Sequence, residues 1–336
     1  MIVPYYSTLS EPGKQIMISL LRQYGTIIGL ALMVMIFTLL LPETFLAPRN
    51  LMNIAQQMSM LAVIAFTMTI VMAMGDFDLS VGSTASLAGI VAALIFQWSG
   101  SVGFGISIAL LAGLSCGLIN GALISYVGIL PFVATLGTLT IFSGTAFLMS
   151  GGKTIFGSAI PETFSAIAKN GLPLWQSGDQ ILALPNLVTL AGIIFIAVWF
   201  AMQKLTFGRH IRAIGGNVEA AHLAGINVKA VRLTAFALVG LGSALAGLML
   251  SSRVASANPI LGAGLMLDAI AAVFLGMTMN DQREPRVLHT LAGVALLGLL
   301  SNGLTQLSIN SYVREILVGT IIIAAVAISG AAKTKR

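Results

Sequence analysis

A chain of 336 residues that is 57% hydrophobic and only 8% charged, with mean hydropathy +0.98, cannot clothe a water-soluble surface, where about a quarter of residues carry charge. The bilayer is the solvent that fits, and spanning it requires that backbone polar groups pair internally. The formal net charge of +6 would suggest nucleic acid in a soluble protein; here Lys- and Arg-rich cytoplasmic loops account for it, and no nucleic-acid partner is expected.

The opening stretch, MIVPYYSTLSEPGKQIM, has no basic region joined to a short apolar core and cleavage site, so no removable signal peptide is expected. Ten apolar segments follow, at 22–41, 51–74, 81–98, 102–127, 131–150, 186–203, 230–252, 265–278, 287–307 and 312–330. The expected fold class is therefore all-α: a single polytopic integral membrane domain over 1–336 with about ten transmembrane helices. The third and eighth segments, with 18 and 14 residues, are short for a span of about 20 residues and are expected to be broken or partly re-entrant. With both termini cytoplasmic, 12 of the 17 basic residues fall inside, and Arg49, Lys153, Lys169, Arg253 and Arg314 fall outside. This split predicts an even helix count and an external 151–185 loop. Trp98 and Trp199 lie at segment ends, as interfacial aromatics do.

The first polar feature is GDFDLSVGS at 75–83. Asp78 reads either as the N-cap of a helix opening near Val81 or as a pathway group, since a carboxylate at membrane depth tends to face a cavity or a partner. Gly113, Gly117 and Gly121 repeat every four residues and predict a face that a second helix approaches closely, with Asn120 beside it. Gly240, Ala244 and Gly247 form a looser version. GGKTIFG contains Gly-Lys-Thr, but Phe147 stands where a P-loop needs its first glycine. The Asn-Gly-x-Leu cores of 117–132 and 298–313 are similar and lie five segments apart, which predicts an inverted repeat of the kind transporters use. The lone Cys116 offers no disulfide framework. His210, His222 and His289 have no metal-ligand spacing. No cofactor and no catalytic residue is expected, and a membrane enzyme has no supporting constellation.

AIGGNVEAAHLAGINVKAVRL, at 213–233, overlaps the 204–229 loop and interrupts the apolar chain. Asn217 is a candidate N-cap, Glu219 falls in the first turn where the helix dipole favours an anion, and Gly225 suits the position after the C-cap. The helix between spans about seven residues, too short to persist alone in water. Ala220, Leu223 and Ala224 would form its stripe. It is either a surface turn lying on the membrane or a docking helix for a cytoplasmic partner.

Five stretches, IGGNVEAAHLAGINV, GDFDLSVGS, PFVATLGT, FGRHIRAIGGN and NPILGAGLMLDAIAAVFLG, resemble the permease subunits of bacterial ribose/xylose/arabinose/galactose-class ABC importers. The resemblance implies that the loop bearing Gly216, Asn217, Glu219, Ala220, Ala221, Leu223 and Gly225 contacts a cytoplasmic ATP-binding subunit, which carries the ATP chemistry. It also implies a periplasmic or extracellular sugar-binding protein, a second permease copy and an inner-membrane location. Candidate pathway groups are Asp78, Asn120, Asn258, Asp268 and Asn302. Asp268 sits inside the short eighth segment, where its oxygens need partners, with Arg253, Asn258 and Asn302 as candidates. Structural pairing and pathway lining are both open for it. Near residue 276 the family pattern is glycine-rich, whereas this chain reads GMTMNDQREPR, with Met277, Gln282, Arg283 and Pro285 at expected glycines. Side chains and a proline ring restrict such a turn, so it is either a tolerated variant or the mark of a heterodimer whose other permease keeps the glycines. The rival functions are an ion-coupled secondary transporter and a non-transporting membrane scaffold.

Overall fold

Proline and glycine punctuate a succession of helices. The computed structural model describes residues 27–177, 180–279, 284–313, 315–320 and 323. In chain order they form α1 (Ile27–Leu40), α2 (Pro48–Met72), α3 (Val81–Ser99), α4 (Val102–Ala122) continued by a π-helical turn (Leu123–Val127), and α5 (Pro131–Ser150). Strand β1 (Ile155–Phe156), α6 (Glu162–Lys169) and the hairpin β2 (Gly171–Ser177)–β3 (Gln180–Pro185) come next. They are followed by α7 (Asn186–Lys204), α8 (Thr206–Gly216), α9 (Val218–Leu223), α10 (Val228–Val254), β4 (Ser256–Ala257), α11 (Ala263–Met277) and α12 (Val287–Gln306). Pro48 and Pro131 open α2 and α5 in the first turn, where proline's missing N–H costs nothing. Left-handed Gly100 and Gly151 close α3 and α5. The apparent phosphate loop is thus a helix stop.

Among the described residues seven helices are long and apolar enough to cross a membrane, namely α2, α3, α4 with its π-turn, α5, α7, α10 and α12, while α1 and α11 are shorter. The expected break in the third segment does not occur: α3 is one helix of 19 residues, and most of it is buried in protein. The eighth is short as expected, with 15 residues, and follows a non-helical stretch at its start. Residues 324–330 of the tenth expected segment lie outside the described residues, as do 280–283 of the atypical turn.

The centre is α2, α3 and α10, whose apolar stretches are mostly buried in protein, whereas that of α7 is mostly exposed. Close approach is what permits this centre. A Cβ on Gly117 would strike the Phe236 carbonyl, one on Gly113 would strike Ala244, and one on Gly240 would strike the Gly113 carbonyl. The glycine faces of α4 and α10 therefore interlock, as the spacing predicts. On the outside, Leu111, Phe132, Leu136, Ile141, Ile193 and Ile196 are exposed and suit lipid.

The two halves repeat their local features in order. Helices α2–α3–α4 and α10–α11–α12 make matching contacts: α3 packs on α4 and on α10, while α11 packs on α12 and on α2. Left-handed residues follow both opening helices, Gly75 (φ 83°) and Ala255 (φ 49°). Three residues later Asp78 and Asn258 each accept from the backbone N–H two positions on, at 2.8 and 2.9 Å. Gly82 and Gly262 then meet reciprocally, each leaving no room for a Cβ on the other. The third helices carry the buried pair Asn120 and Asn302.

Candidate functional site

The polar interruption at 213–233 folds as its residues dictate. Asn217 caps α9, its side chain accepting from the Ala220 N–H at 2.9 Å. The far end closes in a Schellman motif: Gly225 N–H donates to His222 O and Ile226 N–H to Ala221 O, with Gly225 at φ 83°. Asn227 then caps α10 through the Ala230 N–H at 3.1 Å, so α9 is locked to α10 through a fully hydrogen-bonded corner. Gly216, Asn217, Glu219, Ala220 and Gly225 are exposed, and Leu223 presents 82% of its surface. Ala221 departs from the expected contact set, because it is 4% exposed and packs inward. It seats the helix against the core.

Behind this corner the loop between α2 and α3 is held by charge. Arg232 donates from Nε to Asp76 Oδ2 at 2.9 Å and from Nη2 to Oδ1 at 3.2 Å. Burial pushes the Asp76 carboxyl up from its ordinary value, against the pull of Arg232. Gly215 of α8 lies so close to the Ala73 carbonyl that no Cβ fits. Two residues on, Asp78 does not cap α3; the N-cap is Ser80, with no side-chain cap bond. Asp78 Oδ1 accepts from Ser80 N–H at 2.8 Å and from Ser80 Oγ at 2.7 Å. Asn120 donates to Asp78 Oδ2 at 3.2 Å and to Ser80 Oγ at 2.8 Å, and accepts from Thr138 Oγ1 at 2.6 Å. All four side chains are at most 2% exposed. The cluster ties α3, α4 and α5 together.

The remaining pathway candidates separate. Asn302 is buried, accepting from Asn50 at 3.2 Å and Gln306 at 2.8 Å. Asn258 donates to Thr154 at 2.6 Å beside the β1–β4 pairing, and Arg253 donates to Asn53 at 3.3 Å. Arg253, Asn258 and Asn302 each bond a group other than Asp268 as well. Asp268 itself lines a cavity of about 520 Å³ with Gln57, Met58, Leu297, Ser301 and Glu315. The cavity is walled by α2, α11, α12 and residues 315–319.

The family model described as branched-chain amino acid transport system / permease component matches residues 50–326. The chain belongs to this permease family. Its relatives include the ribose import permease protein of Escherichia coli (strain K12), 34% identical over 91% of this chain and 93% of the relative. The ribose import permease protein of Bacillus subtilis (strain 168) is 36% identical over 91% of this chain and 92% of the relative. The D-allose transport system permease protein of Escherichia coli (strain K12) is 32% identical, with 91% of each chain covered. No solved structure matches.

In this family member, sequence reasoning gave Asp76, Arg232, Ser80 and Thr138 no partner. Asp76 and Arg232 lie 156 positions apart, and no local pattern links them. One signal was available: Asp76 follows one apolar span and Arg232 lies at the start of another on the same predicted side, where an unpaired charge is costly.

Proposed function

We propose that the chain is the membrane-spanning permease subunit of an ATP-driven importer, forming the translocation pathway for a monosaccharide or similar small polyol. The observation that carries this reading is the match, over nine-tenths of the chain, to ribose import permeases and a D-allose transport system permease. The chain hydrolyses nothing itself; ATP hydrolysis belongs to a separate cytoplasmic subunit. An external sugar-binding protein delivers the solute, and a second permease copy completes the pathway. The location is the bacterial inner membrane, with both termini cytoplasmic on the basic-residue split. The exposed, capped α9 is the surface for the ATPase, with Glu219, Ala220 and Leu223 outward and Asn217, Ala221 and Gly225 holding its shape.

The cavity holding Asp268 is this chain's part of the pathway. Gln57, Asp268 and Ser301 supply acceptors and donors that match hydroxyl groups. Its carboxylates, Asp268 and Glu315, favour a neutral polyol over an anionic sugar acid. Asp268→Asn keeps hydrogen-bonding capacity and is expected to transport better than Asp268→Leu. Equal and complete loss in both, with normal abundance, would show that the charge itself is required.

The test is uptake into proteoliposomes holding this chain, its ATPase and its binding protein. Labelled sugar should accumulate only with ATP inside the appropriate compartment and with binding protein present. Uptake driven by a proton gradient without ATP would sink this reading in favour of an ion-coupled secondary transporter.

A further inference from the structure

We propose that Asp76 and Arg232 are the positioning pair that transmits movement of α9 to the first half of the permease; this rests on the ATPase-docking reading above. Arg232 stands one turn inside α10, immediately beyond the Asn227 cap and the Schellman corner that fix α9 to that helix. A displacement of α9 is therefore carried to Arg232 as a rigid unit. Its fork grips a carboxylate in the loop joining α2 and α3 at 2.9 and 3.2 Å. The Gly215–Ala73 backbone contact grips the same loop from α8. From there the route continues through covalent chain and buried hydrogen bonds. Asp78 holds Ser80 at the start of α3 and Asn120 near the end of α4, and Asn120 holds Thr138 of α5. One displaced loop thus reaches α2, α3, α4 and α5.

Stability is a poor reason for such a pair. Asp76 is 4% exposed, and burying paired charges commonly costs as much as their attraction returns. A bidentate fork does supply direction, because its planar geometry fixes distance and angle together. The flank of α9 is otherwise open: a cavity of about 880 Å³, lined by Ser125, Glu219, His222, Lys229 and Arg232 among others, separates it from the π-turn. Arg232, at the rim of that cavity, is held by Asp76. Lys229, one turn before Arg232, is engaged elsewhere, 5.7 Å above the Tyr126 ring.

The test uses the complete transporter, with its ATPase and binding protein, in proteoliposomes. Four forms are compared: unmodified, Asp76→Asn/Arg232→Gln, Arg232→Asp, and the exchange Asp76→Arg/Arg232→Asp. The readouts are co-purification of the ATPase, basal ATP hydrolysis, and sugar moved per ATP hydrolysed. The neutral double variant leaves no buried charge unpaired, so it is expected to assemble and to hydrolyse ATP at the basal rate. Its sugar-to-ATP ratio is expected to fall about tenfold, within the usual range of coupling between sites. Arg232→Asp should fall at least as far, and the exchange should recover most of the loss. A neutral double variant with an unchanged sugar-to-ATP ratio overturns the proposal, whatever the charged variants do. Loss of ATPase co-purification in that variant also overturns it, because the pair would then be serving the dock. Failure of the functional reading would show differently, as ATP-independent uptake by the unmodified complex.

Discussion

Asp78 illustrates how a single residue acquires a role from its neighbours. As a lone carboxylate before a helix it reads as a cap, yet its oxygens serve Ser80 and Asn120 in a site sealed from water. Asp78→Ala would leave the Ser80 N–H, the Ser80 hydroxyl and the Asn120 amide short of partners, at about 1–3 kcal/mol for each group stranded. Asp78→Asn retains an acceptor for Ser80 and is expected to lose less. Thermal unfolding of the purified variants in detergent should rank Asn above Ala; equal midpoints would mean that the cluster is not holding α3 to α4. Ala255 tests the backbone in the same way. It sits at φ 49°, where its counterpart in the first half is Gly75. A left-handed non-glycine residue carries about 1–2 kcal/mol of strain, so Ala255→Gly is expected to be neutral or stabilising in the same assay, despite the added chain entropy of glycine.

At the level of elements, two features carry the argument: the crossing of α4 on α10 and the corner that presents α9. Gly117 faces the Phe236 carbonyl with no space between. Gly117→Val forces the helices apart and should cost on the order of 1–3 kcal/mol, read as lost folded protein by size-exclusion profile. Gly103 on the same helix faces open space, and Gly103→Ala should leave that profile unchanged. On α9 exposure separates surface from support. Leu223→Asp should preserve abundance and basal hydrolysis while removing stimulation of the ATPase by the binding protein, because Leu223 is the most exposed apolar group there. Asn217→Ala acts through shape instead, removing a cap worth about 0.5–2 kcal/mol, and its effect should be partial. Normal stimulation in Leu223→Asp would reduce α9 to a surface turn.

The molecule as a whole has two distinct ends. Residues 73–80, 123–131 and 202–232 meet at one, through Asp76–Arg232, Gly215–Ala73 and the π-turn cavity. Residues 151–170 and 252–260 meet at the other, through the β1–β4 pairing, Asn258–Thr154 and the bond from Ser252 to the Phe164 carbonyl. Chain order alternates between these two ends along α5, α7 and α10. The basic residues then predict which end is cytoplasmic. Cysteines introduced at Ser158 and at Ala224, both exposed, should label oppositely in intact cells with an impermeant thiol reagent. Ser158→Cys should react from outside and Ala224→Cys only after permeabilisation, with native Cys116 buried and silent. Labelling in the reverse order would invert the molecule in the membrane.

Sequence by itself determined the solvent, the helical class, the positions of most spans, the capped corner at Asn217–Gly225 and the glycine face of α4. Each of these is local: hydropathy over about 20 residues, a cap three residues from its acceptor's partner, or a four-residue spacing fixes it. The permease family was legible for the same reason, because several short ordered motifs carried it. Only the tertiary structure decided that α3 is unbroken, that Ala221 faces inward, and that Asp78 belongs with Asn120 and Thr138. It also decided that Asp76 meets Arg232 across 156 residues and that the halves meet at Gly82 and Gly262. A buried polar group must be satisfied, but many distant residues could satisfy it, and the choice among them is made by how the helices pack.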